Sequence, residues 1–235
     1  MRDTGTDRIL LCFDLDGVIA DSSQAIPAAI NVALEPVGLG PISLETLQRW
    51  IGPPLLESFA QLLTDERRDP AAAPECVERY RQHYPALAAA LTRSYPGVPK
   101  MLSELAAVAD LVIVTSKPEV FAVPILDSLG LLGRFQAVFA PSLDEMHEPK
   151  AATLKRALDE HAVGRPQFAG VMIGDRHHDV EAGHANGLLT IGALWGFGSR
   201  RELVEAGADF LAEQPANIRQ IVTQDLILET RPKEN

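Results

Sequence analysis

Short apolar runs recur along the chain at 9–13, 111–114, 137–140, 171–173 and 188–191. Each ends at a small or polar residue: Asp14, Thr115, Pro141, Gly174 and Gly192. Runs of this length with no polar alternation predict strands buried on both faces of a sheet. Between most of them, apolar residues fall at helical spacing. The segment 118–129 has Pro118 at its first turn and stops at Gly130. Segments 150–161 and 179–186 read the same way, the latter stopping at Gly187. Strand–helix alternation predicts an α/β fold: a doubly wound parallel sheet with a Rossmann-like core.

One stretch breaks the alternation. From 22 to 93 the pattern is helical only. Val77, Tyr80, Tyr84, Leu87 and Leu91 are spaced as one helix face, although Pro85 is expected to kink or split that helix. Pro96-Gly97-Val98-Pro99 marks a return to the alternating pattern. The predicted organisation is a core of 1–20 and 95–235 with an all-helical cap inserted over 21–94.

Composition narrows the partners. At 235 residues the chain is long enough for one core with an insert. A net charge of -11 repels a nucleic-acid backbone, so no nucleic-acid partner is expected. A small phosphorylated metabolite stays open, because a local site can be positive. Cys12 and Cys76 do not make a disulfide framework, which suggests a reducing, cytoplasmic setting. Residues 1–8 have no apolar region of the kind a signal peptide carries, and no apolar run is long enough to span a bilayer. Oligomeric state is not legible in the sequence.

Ligands of open parallel sheets gather at the carboxyl ends of the strands. The residues predicted there are Asp14, Asp16, Thr115, Ser116, Lys117, Asp175 and Asp179, with Lys150 opening a helix just before the last of these strands. Four carboxylates with a lysine and hydroxyls suit a hard cation and a phosphate. Asp14 and Asp16 stand two apart, so an extended chain would point both to one face. Gly17 lets the backbone turn and its N–H come close to a ligand. Mg²⁺ and Lys150 would keep Asp14 ionised, and an ionised aspartate is a nucleophile toward phosphorus. Asp16 is placed to protonate a leaving oxygen and then activate water. Taken singly, each residue has a plainer reading: a turn pair at 14 and 16, helix N-caps at Thr115-Ser116 and Asp179, a turn at Asp175, a surface lysine at 150. Their order and their shared place at strand ends favour the site.

The segment Phe13-Asp14-Leu15-Asp16-Gly17-Val18 resembles the first motif of the haloacid dehalogenase-like hydrolases. Val114-Thr115-Ser116-Lys117 resembles the second, Glu148-Pro149-Lys150 the third, and Gly174-Asp175-Arg176-His177-His178-Asp179 the fourth. The insert is similar to the first-type cap of that superfamily. The resemblance implies Asp14 as nucleophile and Mg²⁺ ligand, and Asp16 as general acid/base with its backbone carbonyl on the metal. It implies Thr115, Ser116 and Lys150 on the phosphoryl group, with Asp175 and Asp179 at the metal. The family's dehalogenases lack the second aspartate of the first motif, so Asp16 implies phosphoryl transfer. Ile51-Gly52-Pro53-Pro54-Leu55, Thr115-Ser116-Lys117-Pro118 and Leu194-Trp195-Gly196-Phe197-Gly198-Ser199 resemble the phosphoglycolate phosphatase group. Some nucleotidase-like and pyrophosphatase-like members share those segments. Two departures stand out: Ala182-Gly183 in place of Gly-Ala, and an acidic 144–148 segment ahead of Lys150.

The resulting expectation is a Mg²⁺-dependent phosphatase acting on a small phosphate monoester. Nucleotidase, pyrophosphatase and phosphosugar mutase activities are the alternatives within enzymes, and a catalytically silent binding module is the alternative outside them. Arg49 reads equally as a substrate-recognition residue of the cap and as part of a solvated helix face. His177, His178 and His184 read as supporting or surface residues, because the sequence supplies no evident ligand set for them. Trp195 and Phe197 read as packing within their glycine-rich loop.

Overall fold

A computed structural model describes residues 8–47, 55–143, 148–161 and 170–226. The chain divides into two compact units, 1–20 with 94–235 and 21–93. Strand β1 (Ile9–Phe13) opens the first unit, and β2 (Ala20–Asp21) leads out of it. The second unit holds helices α1 (Ala25–Leu34), α2 (Leu44–Leu47), α3 (Leu55–Asp65) and α4 (Ala73–Leu91). Strand β3 (Arg93–Ser94) returns the chain and pairs with β2. Beside that crossing, the Tyr95 N–H donates to the Ile19 carbonyl at 3.3 Å.

The first unit continues as α5 (Val98–Leu105), β4 (Ala109–Val114), α6 (Glu119–Ser128), β5 (Ala137–Phe139) and α7 (Lys150–His161). It ends with β6 (Gly170–Gly174), α8 (His177–Ala185), β7 (Leu189–Ala193), α9 (Arg200–Glu205), β8 (Phe210–Ala212) and α10 (Pro215–Gln220). The six strands other than β2 and β3 form one parallel sheet, ordered β5-β4-β1-β6-β7-β8. Leu10 and Cys12, Val112 and Val114, and Met172 share one face with Leu154 and Ala157 of α7 and Ala182 of α8. The alternate residues Leu11, Phe13, Ile113 and Ile173 are equally buried. Burial on both faces is why these strands carry no polar alternation.

Two strands differ from the pattern read in the sequence. Strand β4 begins at Ala109 rather than 111 and takes in Asp110. That carboxylate is buried but accepts from Arg8 Nε at 2.9 Å and Gln136 Nε2 at 2.8 Å, so its charge does not end the strand. Strand β8 has no counterpart among the predicted runs. It is three residues set between Asp209 and Glu213.

Of the kink or split expected at Pro85, the split does not occur: α4 runs unbroken over nineteen residues with Pro85 inside. Proline removes one backbone donor, but the opposite face of α4 is anchored. Tyr84 stacks on Tyr80 at 5.0 Å between centroids, and Phe59 of α3 meets Tyr80 edge-on at 6.2 Å. Helices α1 and α3 both pack on α4, and these rings are buried. Burying such a ring stabilises by about 3–5 kcal/mol relative to alanine, enough to hold a proline-bearing turn in place.

Candidate active site

Strand register brings the candidate residues to one edge of the sheet. Phe13 aligns with Ile113 on one side and Ile173 on the other, so the chain segments after β1, β4 and β6 emerge side by side. The Asp14 N–H still donates to the Ile173 carbonyl at 2.9 Å. The chain then turns instead of running on extended. The Ile19 and Ala20 N–H groups both donate to the Leu15 carbonyl, and the Gly17 N–H donates to Ala20. Gly17 sits at φ 86°, a conformation that favours glycine.

Each aspartate of the first motif meets its own lysine. Lys150 Nζ, from the first residue of α7, donates to Asp14 Oδ2 at 2.7 Å and also to Asp179. Lys117 Nζ lies 2.8 Å from Asp16 Oδ2. The Leu15 N–H fixes the other Asp14 oxygen at 2.8 Å. Thr115 is buried, and its Oγ1 accepts the Lys117 N–H at 3.2 Å. This hydroxyl therefore shapes the loop ahead of α6 rather than capping that helix, whose N-cap is Pro118. Ser116 is exposed between them.

Asp179 is not an N-cap, because α8 begins two residues earlier than predicted, at His177. Asp179 stands in the first turn, and its Oδ2 accepts the N–H groups of Asp175 and Arg176 at 3.0 Å each. Its other oxygen faces Lys150. Asp175 is fully buried, and Oδ2 accepts the Phe197 N–H at 2.7 Å. The loop after β7 thus supports this carboxylate through a backbone amide, which the packing role expected for Phe197 did not anticipate. Trp195 anchors the same loop, its indole N–H donating to the Val18 carbonyl at 3.1 Å. The loop comes so close that a Cβ on Gly198 would sit 1.8 Å from the Asp175 carbonyl oxygen, and one on Gly196 2.4 Å from the Asp175 Cβ.

Oxygens of Asp14, Asp175 and Asp179 lie within 4.8 Å of one another, facing the single ammonium of Lys150. Burial pushes the Asp14 carboxyl up, and Lys150 only partly offsets it. Burial, then Asp179 and Asp14, hold Asp175 well above the usual carboxylate range. Burial works to lower the Lys150 pKa, but the two carboxylates outweigh it and the net movement is upward. Asp175 Oδ1 is buried without a hydrogen-bond partner. A buried carboxylate oxygen left bare is costly unless a cation meets it, and an all-oxygen donor set suits a hard divalent ion. These residues fit Mg²⁺.

The remaining candidates lie elsewhere. Arg49 and 51–54 are outside the described residues, as are 144–147 of the acidic segment. Glu148 turns onto Arg156, with 2.9 Å between Oε2 and the guanidinium. His184 pairs with Asp209 at 3.2 Å. His177, His178 and Glu181, all on α8, have candidate ligand atoms within 4.8 Å of one another.

Residues 11–193 match the model of the haloacid dehalogenase-like hydrolase family. The chain is 32% identical over 223 residues to a protein of Pseudomonas aeruginosa named 5'-nucleotidase, covering 94% of this chain and 99% of the relative. It is 27% identical over 221 residues to the phosphoglycolate phosphatase of Aquifex aeolicus, with 94% and 99% covered. A crystal structure described as a predicted phosphatase from Clostridium acetobutylicum matches with a TM-score of 0.80 at 30% identity, covering 95% of this chain and all of that one. With its sheet, its strand-end carboxylates and this similarity over most of its length, the chain belongs to the haloacid dehalogenase-like hydrolase family.

Proposed function

We propose that this chain is a Mg²⁺-dependent phosphatase that hydrolyses a small phosphate monoester through an aspartyl-phosphate on Asp14. The observation that carries the reading is the pairing of Asp14 Oδ2 with Lys150 Nζ at 2.7 Å, beside the bare, buried oxygen of Asp175. The Leu15 N–H and Lys150 hold the Asp14 carboxylate in one orientation. One Asp14 oxygen attacks phosphorus as the bond from phosphorus to the ester oxygen breaks. Asp16 gives its proton to the departing oxygen, so the alcohol leaves neutral. A water then attacks the phosphorus of the aspartyl-phosphate and gives its proton to Asp16. Inorganic phosphate leaves and Asp14 is a carboxylate again. Thr115 and Ser116 bind phosphoryl oxygens in this scheme; the Gly17 N–H, expected from the sequence to join them, is instead given to the Ala20 carbonyl at 3.0 Å. Asp14, Asp175 and Asp179, with the Asp16 backbone carbonyl, would hold Mg²⁺, which supplies positive charge where the phosphoryl oxygens gather.

The helical unit acts in this reading as a cap that selects the substrate, with Arg49 among its candidate contacts. A phosphoglycolate-like substrate is the first choice. A nucleoside 5'-monophosphate is the second, favoured by the 32% identity to the Pseudomonas protein. A reducing, cytoplasmic setting belongs to the same proposal, supported by two free, buried thiols. Hydrolysis of p-nitrophenyl phosphate is expected with Mg²⁺ and is expected to vanish with EDTA. Asp14→Asn is expected to lose roughly 10³-fold or more in kcat. Activity retained in that variant would falsify the covalent route. A panel of phosphoglycolate, nucleoside monophosphates and pyrophosphate then names the substrate by kcat/KM.

A further inference from the structure

Outside the acidic cluster, the first turn of α8 carries a second group of metal-binding side chains. His177 and His178 are neighbours whose rings lie 3.7 Å apart between centroids, and Glu181 stands one turn on from them. Their ligand atoms fall within 4.8 Å of one another. These are the right side chains for a borderline metal, whereas the Asp14, Asp175 and Asp179 group offers only oxygen.

A second observation points the same way. His177 Nδ1 lies 2.7 Å from Glu202 Oε1, a carboxylate from the first turn of α9. The same oxygen accepts the His177 N–H at 3.1 Å and Arg176 Nε at 2.8 Å. A carboxylate on Nδ1 fixes the imidazole tautomer with its proton there and leaves Nε2 as a lone-pair donor, the arrangement that orients histidine ligands in metal centres. Donors on one zinc ion stand closer together than 4.8 Å, since each bond is about 2 Å. Closing that distance falls to His178 and Glu181, whose side chains are 51% and 65% exposed and already face each other with 3.9 Å between Nδ1 and Oε2. The less exposed His177 is the member already held.

We propose that His177, His178 and Glu181, with Glu202 orienting His177, form a surface site for an imidazole-preferring divalent metal of the zinc class, separate from the acidic cluster. The two sites share a helix turn, since Asp179 follows His178 directly. The outer one sorts by ligand chemistry rather than by charge. Oxygen-preferring Mg²⁺ takes the inner cluster, and zinc takes the imidazoles.

The test is calorimetric titration of the metal-free full chain with zinc chloride, in saturating Mg²⁺ so that the acidic cluster is filled. One equivalent of Zn²⁺ is expected to bind. His178→Gln and His177→Gln are each expected to weaken it at least 10-fold, and Glu202→Ala 10- to 100-fold. Asp175→Asn is expected to keep it, and cobalt in place of zinc is expected to give the intense visible bands of a low-coordinate site. Thermal melts without metal check that the variants fold. His178→Gln changes an exposed side chain and keeps the test available should His177→Gln fail to fold. Equal zinc affinity in wild type and His178→Gln overturns the proposal. So does loss of the zinc equivalent in Asp175→Asn, which would put the ion in the acidic cluster.

Discussion

At Gly17 the backbone turn and the Asp175 carboxylate compete for the same space. A Cβ there would lie 2.2 Å from Asp175 Oδ2, and φ is already 86°. Gly17→Ala therefore carries two costs: about 1–2 kcal/mol for a left-handed alanine, and displacement of Asp175. The expected outcome is a lower denaturation midpoint together with a fall in kcat/KM on the order of 10²-fold, the cost of moving a reacting group by an ångström. Chemical denaturation and p-nitrophenyl phosphate kinetics on the same preparation read both. At this scale the sequence was informative where charge interrupts an apolar run. Asp14 and Asp175 are such points. It was silent on the Phe197 N–H, because a backbone donor has no side-chain signature. Lys117 stood in the second motif, but only the fold puts its ammonium on Asp16.

Elements carry their own compromises. Pro85 is an exposed residue inside α4, a helix held by Tyr80 and Tyr84 on its buried face. Pro85→Ala restores a backbone donor without touching that face. It is expected to stabilise the helical unit by about 1–3 kcal/mol, read as a rise in its melting temperature. Strand β7 depends on a carboxylate. Asp209 accepts the N–H and the hydroxyl of Thr190 at 2.8 Å each. Partial burial works to raise its pKa, but Thr190 and His184 outweigh it and the net movement is downward. A carboxyl lowered by folding stabilises above its unfolded pKa, and that contribution disappears as pH falls through the folded value. Asp209→Asn should therefore lower the melting temperature at neutral pH, and the gap from wild type should close below about pH 4. A gap that stays constant with pH would rule out the ionic contribution. Periodicity located five apolar runs of the sheet and helices between them. It missed β8, a three-residue strand bounded by Asp209 and Glu213, and the split it allowed at Pro85 does not occur, because tertiary anchoring lies outside local propensity.

At the scale of the molecule, three buried carboxylates stand close to one lysine, a surplus of like charge that a bound cation would relieve. Mg²⁺ at a hundred times its dissociation constant is expected to stabilise by about 2.7 kcal/mol. For a chain of this length that is a rise in Tm of roughly 5–10 °C. EDTA should reverse the shift, and Asp175→Asn should abolish it. Among the described residues no helix is long and apolar enough to cross a membrane.

The place of β1 in the sheet bears on how the protein is made. Its five residues are synthesised before the other strands of the sheet, yet they lie between β4 and β6, which follow about a hundred and a hundred and sixty residues later. Until then an apolar strand with two open edges must be kept from wrong partners, and such long-range parallel pairing is intrinsically slow. The helical unit has all its described helices between Ala25 and Leu91, so it can fold while that strand waits. The acidic cluster closes only when Asp175 and Asp179 arrive, some hundred and sixty residues after Asp14.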